Sequence, residues 1–384
     1  MIGLYGFACI VSGRTLTSSP GPFLEDVGPR LTSYQHTISA TFGFESATLT
    51  FPARDLEEAI LWADRLLCPV TVYNPDAGVA WDGYIRGVEI RAGGRTRAIS
   101  LDTVANRVTV RYTLRGLGTP QVTSAASDTA SQALYGVHDA VVSVGSTDST
   151  SANALRAATL AARRLPRAEP QTSLQLGGAP DSTVEIVLQC EGWYGSLGLV
   201  VLERTDTSTE ETTDQVGDLL GTSSPGIGAT NFFISDSTAQ IASSGVSSPR
   251  LIPADTTYRA AIEQRLSLGN SSSQRLAWGI YENRTFRVAQ WAGADPDTIG
   301  YRVRFADATV ETGDGAGVAL WDVRPDAMVE DVDLLVVGPP SGAADTAARF
   351  YAERVTFTAA RDGLSLTLEP EASSGLDARI ARLS

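Results

Sequence analysis

Between residues 79 and 112 apolar and polar side chains alternate with a period of two. Val88 and Ile90 interleave with Glu89 and Arg91. Val108, Val110 and Tyr112 interleave with Arg107, Thr109 and Arg111. Such spacing puts successive side chains on opposite faces of an extended strand, and Gly93-Gly94 supplies a turn. The pattern predicts a β-meander with one buried face and one arginine-bearing face, suited to assembly and remote from any catalytic cluster. The fold class expected is mainly β (α+β): two small barrel-like β-domains with interspersed helices and a β-rich C-terminal part.

A chain of 384 residues has room for two to four domains at about 150 residues each. With 43% apolar and 19% charged residues it can bury a sizeable core. Its net charge is −14, and all 30 basic residues are arginine. Gripping nucleic acid or an anionic membrane needs a basic footprint, so both are disfavoured. Cys9, Cys68 and Cys190 are widely spaced and form no CxxC pair. Reduced, buried thiols are expected, without a zinc site or a disulfide framework. Met1 to Ile10 is apolar but short and has no positive leader, so it reads as a first strand. No apolar run reaches the roughly 20 residues of a membrane span.

Asp55 with Glu58 three residues on marks a helix start. Leu56, Ala59, Ile60, Ala63 and Leu67 follow at helical spacing, the pattern of a core-facing stripe. Ser127–Tyr135 suggests a helical turn. Residues 151–165 predict a helix rich in good formers, stopped by Pro166. Val184 to Cys190 alternates, Gly192-Trp193-Tyr194-Gly195 reads as a turn, and Leu197, Leu199 and Val201 continue the strand pattern. Helices are expected near 212–220 and 258–266. Hairpins are expected over 275–291 and across Arg361-Asp362-Gly363. The domains expected are 1–115, a barrel-like β-domain; 116–180, a linker carrying the helix 151–165; 181–256, the first half of a second domain; and 257–384, its β-rich remainder.

Catalytic chemistry finds little support. His36 and His138 have no nucleophile motif nearby. Asp295, Asp297, Asp331, Asp333, Glu210 and Glu211 read as solvated loop acids, not as a glycosidase pair or a calcium loop. Gly313–Gly317 lacks the dinucleotide fingerprint. No cofactor and no metal are indicated, and the chain is expected not to be an enzyme. Trp81, Trp193, Trp278 and Trp291 read as core residues. Arg107, Arg111, Arg302 and Arg304 lie on strand faces. They are the candidate subunit-interface residues, because a guanidinium fork suits a neighbour's carboxylates.

Five landmarks follow one another in order. They are Trp81-Asp-Gly-Tyr-Ile with Asn106-Arg-Val-Thr-Val-Arg-Tyr112; Ser131-Gln-Ala-Leu-Tyr-Gly136; the helix 151–165 with its proline stop; Val187-Leu-Gln-Cys-Glu-Gly-Trp193; and Trp278-Gly-Ile-Tyr-Glu-Asn-Arg-Thr-Phe286. Together they resemble the baseplate or tail-tip hub proteins of tailed bacteriophages. The resemblance implies a homotrimer in which each subunit gives two small barrels, forming a pseudo-sixfold ring that joins tail tube to tip around the DNA channel. It implies as partners the tail tube or distal tail protein, the tape measure protein and tip or spike proteins, with DNA only in transit and no membrane span. It implies a virion component assembled in the host cytoplasm. With the last hairpin close to Ser384, receptor-binding or wall-degrading activities are expected on other chains. Two further readings are a distal-tail adaptor ring and a carbohydrate-binding or glycan-cleaving β-protein.

Overall fold

In the computed structural model the described residues are 4–14, 24–92, 95–168, 184–202, 209–221, 234–249, 256–272, 274–290, 300–304, 309–312, 328–331, 348–361 and 363–370. The architecture is mainly β. Strands β1 (Ala8–Ser12), β2 (Leu24–Asp26), β3 (Ser33–Ser39) and β4 (Gly43–Pro52) precede helix α1 (Leu56–Ala63), and β5 (Pro69–Tyr73), β6 (Val79–Ala92) and β7 (Arg95–Ser100) follow it. Next come β8 (Arg107–Leu114), β9 (Pro120–Val122), β10 (Ala126–Ser127), α2 (Thr129–Tyr135), β11 (Asp139–Thr147), α3 (Ser149–Arg163) and β12 (Arg167–Ala168). The third stretch holds β13 (Glu185–Gly192), β14 (Thr209–Glu211), α4 (Thr212–Leu220), β15 (Ser235–Ile241), β16 (Ser247–Pro249), α5 (Tyr258–Leu266), β17 (Leu276–Ile280) and β18 (Thr285–Gln290). Last are β19 (Gly300–Arg304), β20 (Thr309–Thr312), β21 (Met328–Asp331), β22 (Ala348–Ala360) and β23 (Gly363–Pro370).

The alternation read in the sequence becomes rows of side chains across the large sheet. β13 lies between β4 and β6, antiparallel to both, and β3 and β22 extend the ladder beyond β4. Ala359, Tyr34, Leu49, Leu188 and Val88 face one another in register, as do Phe357, His36, Ala47, Cys190 and Ile85. All ten are buried. Neighbouring side chains on one face of a sheet pack together, and this is where sheet stability resides. The sheet curls into a half-barrel. Phe7, just before β1, reaches the rings of Tyr34 and Phe357, with centroids 5.5 Å from each.

A smaller sheet holds β10, β8 and β11, with β9 following β10's edge of β8. Here the structure departs from the expected meander. β6 and β7 form a hairpin, but the chain then turns through Leu101–Thr103, where the Ser100 hydroxyl accepts the Asp102 N–H at 3.1 Å. β8 therefore leaves the large sheet and pairs in parallel with β11, α2 lying in the crossover between them. The smaller sheet crosses the 115/116 boundary, and β13 joins strands of the first 92 residues.

Two local expectations are corrected. Trp193–Gly198 is a 3₁₀ helix that buries Trp193, Tyr194 and Leu197, so no strand continues there. In α1 the stripe divides: Ala59 and Leu67 are sealed in the core together with Trp62, while Leu56 and Ile60 are exposed, as is Leu61. The larger indole takes the core position, stacked edge-on to Phe51 at 5.1 Å. The predicted α2, α3, α4, α5 and both hairpins are present. Among the described residues no helix is long and apolar enough to cross a membrane. Gly93-Gly94, Trp291, Asp295, Asp297, Gly313–Gly317 and Asp333 lie outside the described residues.

Candidate functional site

Of the four arginines read as interface residues, Arg107 is engaged within its own chain. Its Nε and Nη2 donate to the two carboxylate oxygens of Asp139 at 2.5 and 2.7 Å, and Asp139 Oδ2 also accepts the Val201 N–H at 2.9 Å. This fork ties β8 to β11 and to the chain beyond β13. Arg111 is exposed on β8, opposite Val122 of β9 and Ser143 of β11. Arg302 sits on a different ladder, in register with Glu311 of β20 and Glu330 of β21, and Arg304 pairs with Thr309. The side chains of Arg302 and Arg304 lie outside the described residues.

The landmark segments instead converge on two buried polar nodes. At the first, Asp82 of β6 accepts the Thr71 hydroxyl at 2.9 Å and the Trp193 indole N–H at 3.1 Å. Arg284, in the turn between β17 and β18, lies with Cζ 3.6 Å from the centre of the Trp193 ring. Carboxylate and guanidinium thus meet one indole, at its edge and its face, as the ring's charge distribution favours. Burial pushes the Asp82 carboxyl up to about 6, although Thr71 and the Arg284 charge pull it down. Burial likewise brings Arg284 down to about 10, against the pull of Asp82. Asn283 and Arg284 both adopt positive φ, 58° and 57°. Non-glycine residues hold that conformation at a cost of order 1 kcal/mol or more each, which surrounding contacts must offset. A cavity of about 390 Å³ opens beside the pair, with Ile10, Ser12, Leu24 and Tyr73 among its walls.

Two landmark glycines permit this convergence. A Cβ on Gly192 would drive into the carbonyl of Phe44, and one on Gly279 into the backbone of Gly43. Trp278 of the same landmark donates its indole N–H to the Tyr194 hydroxyl at 3.2 Å.

The second node is centred on Asn106, which is fully buried. Its amide donates to the Ser131 hydroxyl at 3.1 Å and the Gly136 carbonyl at 2.8 Å, and its Oδ1 accepts the His138 N–H at 2.8 Å. Ser131 in turn donates to the carbonyl of Arg164 at the end of α3. Three landmarks are therefore stitched together through a single asparagine whose hydrogen-bonding capacity is nearly filled, the condition under which a buried amide is tolerated.

Neither node contains a cysteine, and the one histidine among them, His138, is buried. Cys9, Cys68 and Cys190 are buried, and burial pushes each thiol up, away from the reactive thiolate. His138 is buried, its Nε2 lies 3.0 Å from the Tyr135 carbonyl, and burial lowers it to about 4. His36 packs between Tyr34 and Phe357, with centroids at 5.3 and 5.4 Å. Among the described residues no group of three or more His, Cys, Asp or Glu could hold a metal ion.

Asp82, Arg284 and Asn106 were not singled out from the sequence. The signal for Asp82 was present: an acid within the apolar run Val79 to Ile85 has to find partners. Arg284 followed a strand of five buried residues, a weaker cue.

The fold and its nodes define a mainly β protein whose landmark residues serve the framework. A scan against protein-family models finds no match, and a sequence search of curated proteins finds none. Among solved structures the chain is similar to the tail protein of Neisseria meningitidis MC58, with 11% identity and a TM-score of 0.43 over 96% of this chain and 98% of that one. It is similar to the 43 kDa tail protein of prophage MuSo2 from Shewanella oneidensis, with 8% identity and a TM-score of 0.43 over 96% and 97%. It is also similar to the E. coli c3393 protein, with 9% identity and a TM-score of 0.42 over 90% and 74%; that protein is described as a type VI secretion component with structural similarity to the T4 tail proteins gp27 and gp5. Likeness of this degree leaves function to be argued from the chain's own residues.

Proposed function

We propose that this chain is a non-catalytic structural subunit of a phage-type tail tip, a hub whose copies close into a ring joining tube to tip around the DNA channel. The observation that carries the reading is the convergence of the landmark segments. The residues that give the sequence its resemblance to tail hubs are the ones that tie strands and helices together at Asp82 and Asn106. A charge of −14 is in keeping with a channel that DNA must traverse without sticking, if acid lines the lumen. In this reading the partners are further copies of the chain, the tube or distal tail protein, the tape measure protein and tip proteins, and the protein resides in the virion tail.

The test is assembly of the full chain. Light scattering and electron-microscope class averages of purified protein are expected to give a threefold ring, alone or on co-expression with the tube protein of the same gene cluster. A sixfold ring would assign the chain to the distal-tail adaptor. A monomer that cleaves peptidoglycan or capsular glycan, and loses the activity on replacement of one carboxylate, would overturn the reading.

A further inference from the structure

Two exposed apolar features of this chain differ in the charges beside them: exposed Glu57 on one, exposed Arg111 and Arg115 on the other. On α1, Leu56, Ile60 and Leu61 are 56%, 60% and 59% exposed. They share a helix face with Glu57 and Asp64, both exposed. Residues 55–64 contain four carboxylates and no basic residue, with Arg54 and Arg65 directly outside them. Of these, Glu58 is bound to Arg30, Asp55 caps the helix, and Asp64 meets Arg14 only at 3.8 Å.

The second feature is the tip between β8 and β9. Leu117 is 74% exposed, the most exposed large apolar side chain among the described residues. It stands between Gly116 and Gly118, whose positive φ values of 86° and 65° make the tight turn possible. The tip is held by N–H groups of Leu117 and Gly118 donating to the Leu114 carbonyl at 3.2 and 3.0 Å, and by Leu114 N–H donating to Thr119 at 2.9 Å. Val122, also exposed, lies on β9 nearby. Residues 107–127 carry three arginines and no carboxylate, in a chain that is otherwise strongly acidic. Arg111 and Arg115 are both exposed beside the tip.

A rigid turn holding a leucine out in water is an unfavourable arrangement for an isolated subunit, and so is a short helix with three uncovered aliphatic residues. We propose that each is the other's cover: the β8–β9 tip of one copy docks on α1 of a second copy of this chain. Leu117 seats against Leu56, Ile60 and Leu61, and Arg115 faces Glu57. The two surfaces lie on different elements of the same subunit, so the contact is head-to-tail and propagates from copy to copy until a rotation closes it. The occupant is a second copy because the chain carries both halves, apolar to apolar and basic to acidic. The inference rests on the ring reading and deepens it by naming the surfaces that meet.

The experiment uses the full chain with Ile60→Cys and Leu117→Cys together. The native thiols are buried, so only the introduced pair is available to join copies. Mild oxidation of the assembled protein is expected to give disulfide-linked multimers up to the ring's copy number, absent from either single variant. In parallel, Arg115→Glu is expected to raise the concentration needed for half-assembly at least tenfold, and adding Glu57→Arg to bring it back. Both sites are exposed, so circular dichroism should show an unchanged fold. An intact ring that neither cross-links nor responds to Leu117→Asp overturns this contact alone. A wild-type chain that stays monomeric overturns the ring reading and the contact together. Binding of phosphatidylglycerol vesicles that Leu117→Asp abolishes, with assembly unaffected, would give the tip to lipid and also overturn the proposal.

Discussion

Asp82 and His138 titrate in the same pH range with opposite effects on stability, and this permits a quantitative test. Asp82 rises from 3.8 to about 6 on folding. The folded state therefore holds its proton more tightly, and the stability this contributes is present below about pH 4 and lost as pH rises through 6. Just over two pH units at about 1.4 kcal/mol each gives about 3 kcal/mol. His138 falls from 6.5 to about 4. Its contribution is present above 6.5 and lost as pH falls through 4, again by about 3 kcal/mol. Between pH 4 and 6.5 the two nearly cancel in the wild type, and single substitutions should unmask each. The perturbations are Asp82→Asn and His138→Gln, which remove the titrating group but keep a hydrogen-bonding side chain. Urea unfolding of each protein at half-unit steps from pH 4 to 7 gives the free energies. The difference between Asp82→Asn and wild type should become more favourable to the variant by about 3 kcal/mol as pH rises. The difference for His138→Gln should move by a similar amount in the opposite sense. The attraction of buried Arg284 for the ionised carboxylate is already part of the Asp82 shift, so losing that counter-charge adds no separate pH dependence. A flat Asp82→Asn difference across the range would refute the argument that burial controls this carboxyl.

Three further outcomes follow from the packing. Gly192→Ala forces a methyl into the Phe44 carbonyl and should lower stability by about 1–3 kcal/mol, read from the denaturation midpoint; no change would contradict the close approach. Asn106→Ala breaks three side-chain hydrogen bonds in a sealed site and should cost about 2–3 kcal/mol, with faster hydrogen exchange at His138; undisturbed exchange there would show that the node is dispensable. The three thiols should resist a disulfide reagent at pH 8 in the native protein and react promptly in guanidinium, whereas rapid native labelling would contradict their burial.

Much of the framework was legible in the residues. Period-two alternation marked β6, β13 and β22, because strands packed on one core face write their pattern locally. Asp55 does cap α1, accepting the Glu58 N–H at 2.7 Å. What the sequence withheld were decisions made between segments. Nothing near Arg107 indicates which strand β8 joins after the turn at Leu101–Thr103, since its carboxylate partner, Asp139, lies thirty-two residues on. The stripe on α1 satisfied helical spacing, yet Trp62 offered more area to the core and turned Leu56 and Ile60 to solvent. The nodes around Asp82 and Asn106 escaped for the same reason: their partners lie 111 and 25 residues away along the chain. The landmark segments were visible one by one, but their meeting was not.

The position of β13 has a consequence for biosynthesis. β4 and β6 leave the ribosome long before the strand that fills the gap between them, so a nascent chain shorter than about 190 residues presents two open, apolar strand edges. Such edges invite pairing with other nascent chains. Contacts of such long sequence separation also slow folding. Translation that pauses before β13 has emerged from the ribosomal exit tunnel should therefore favour aggregation, and later pauses should not.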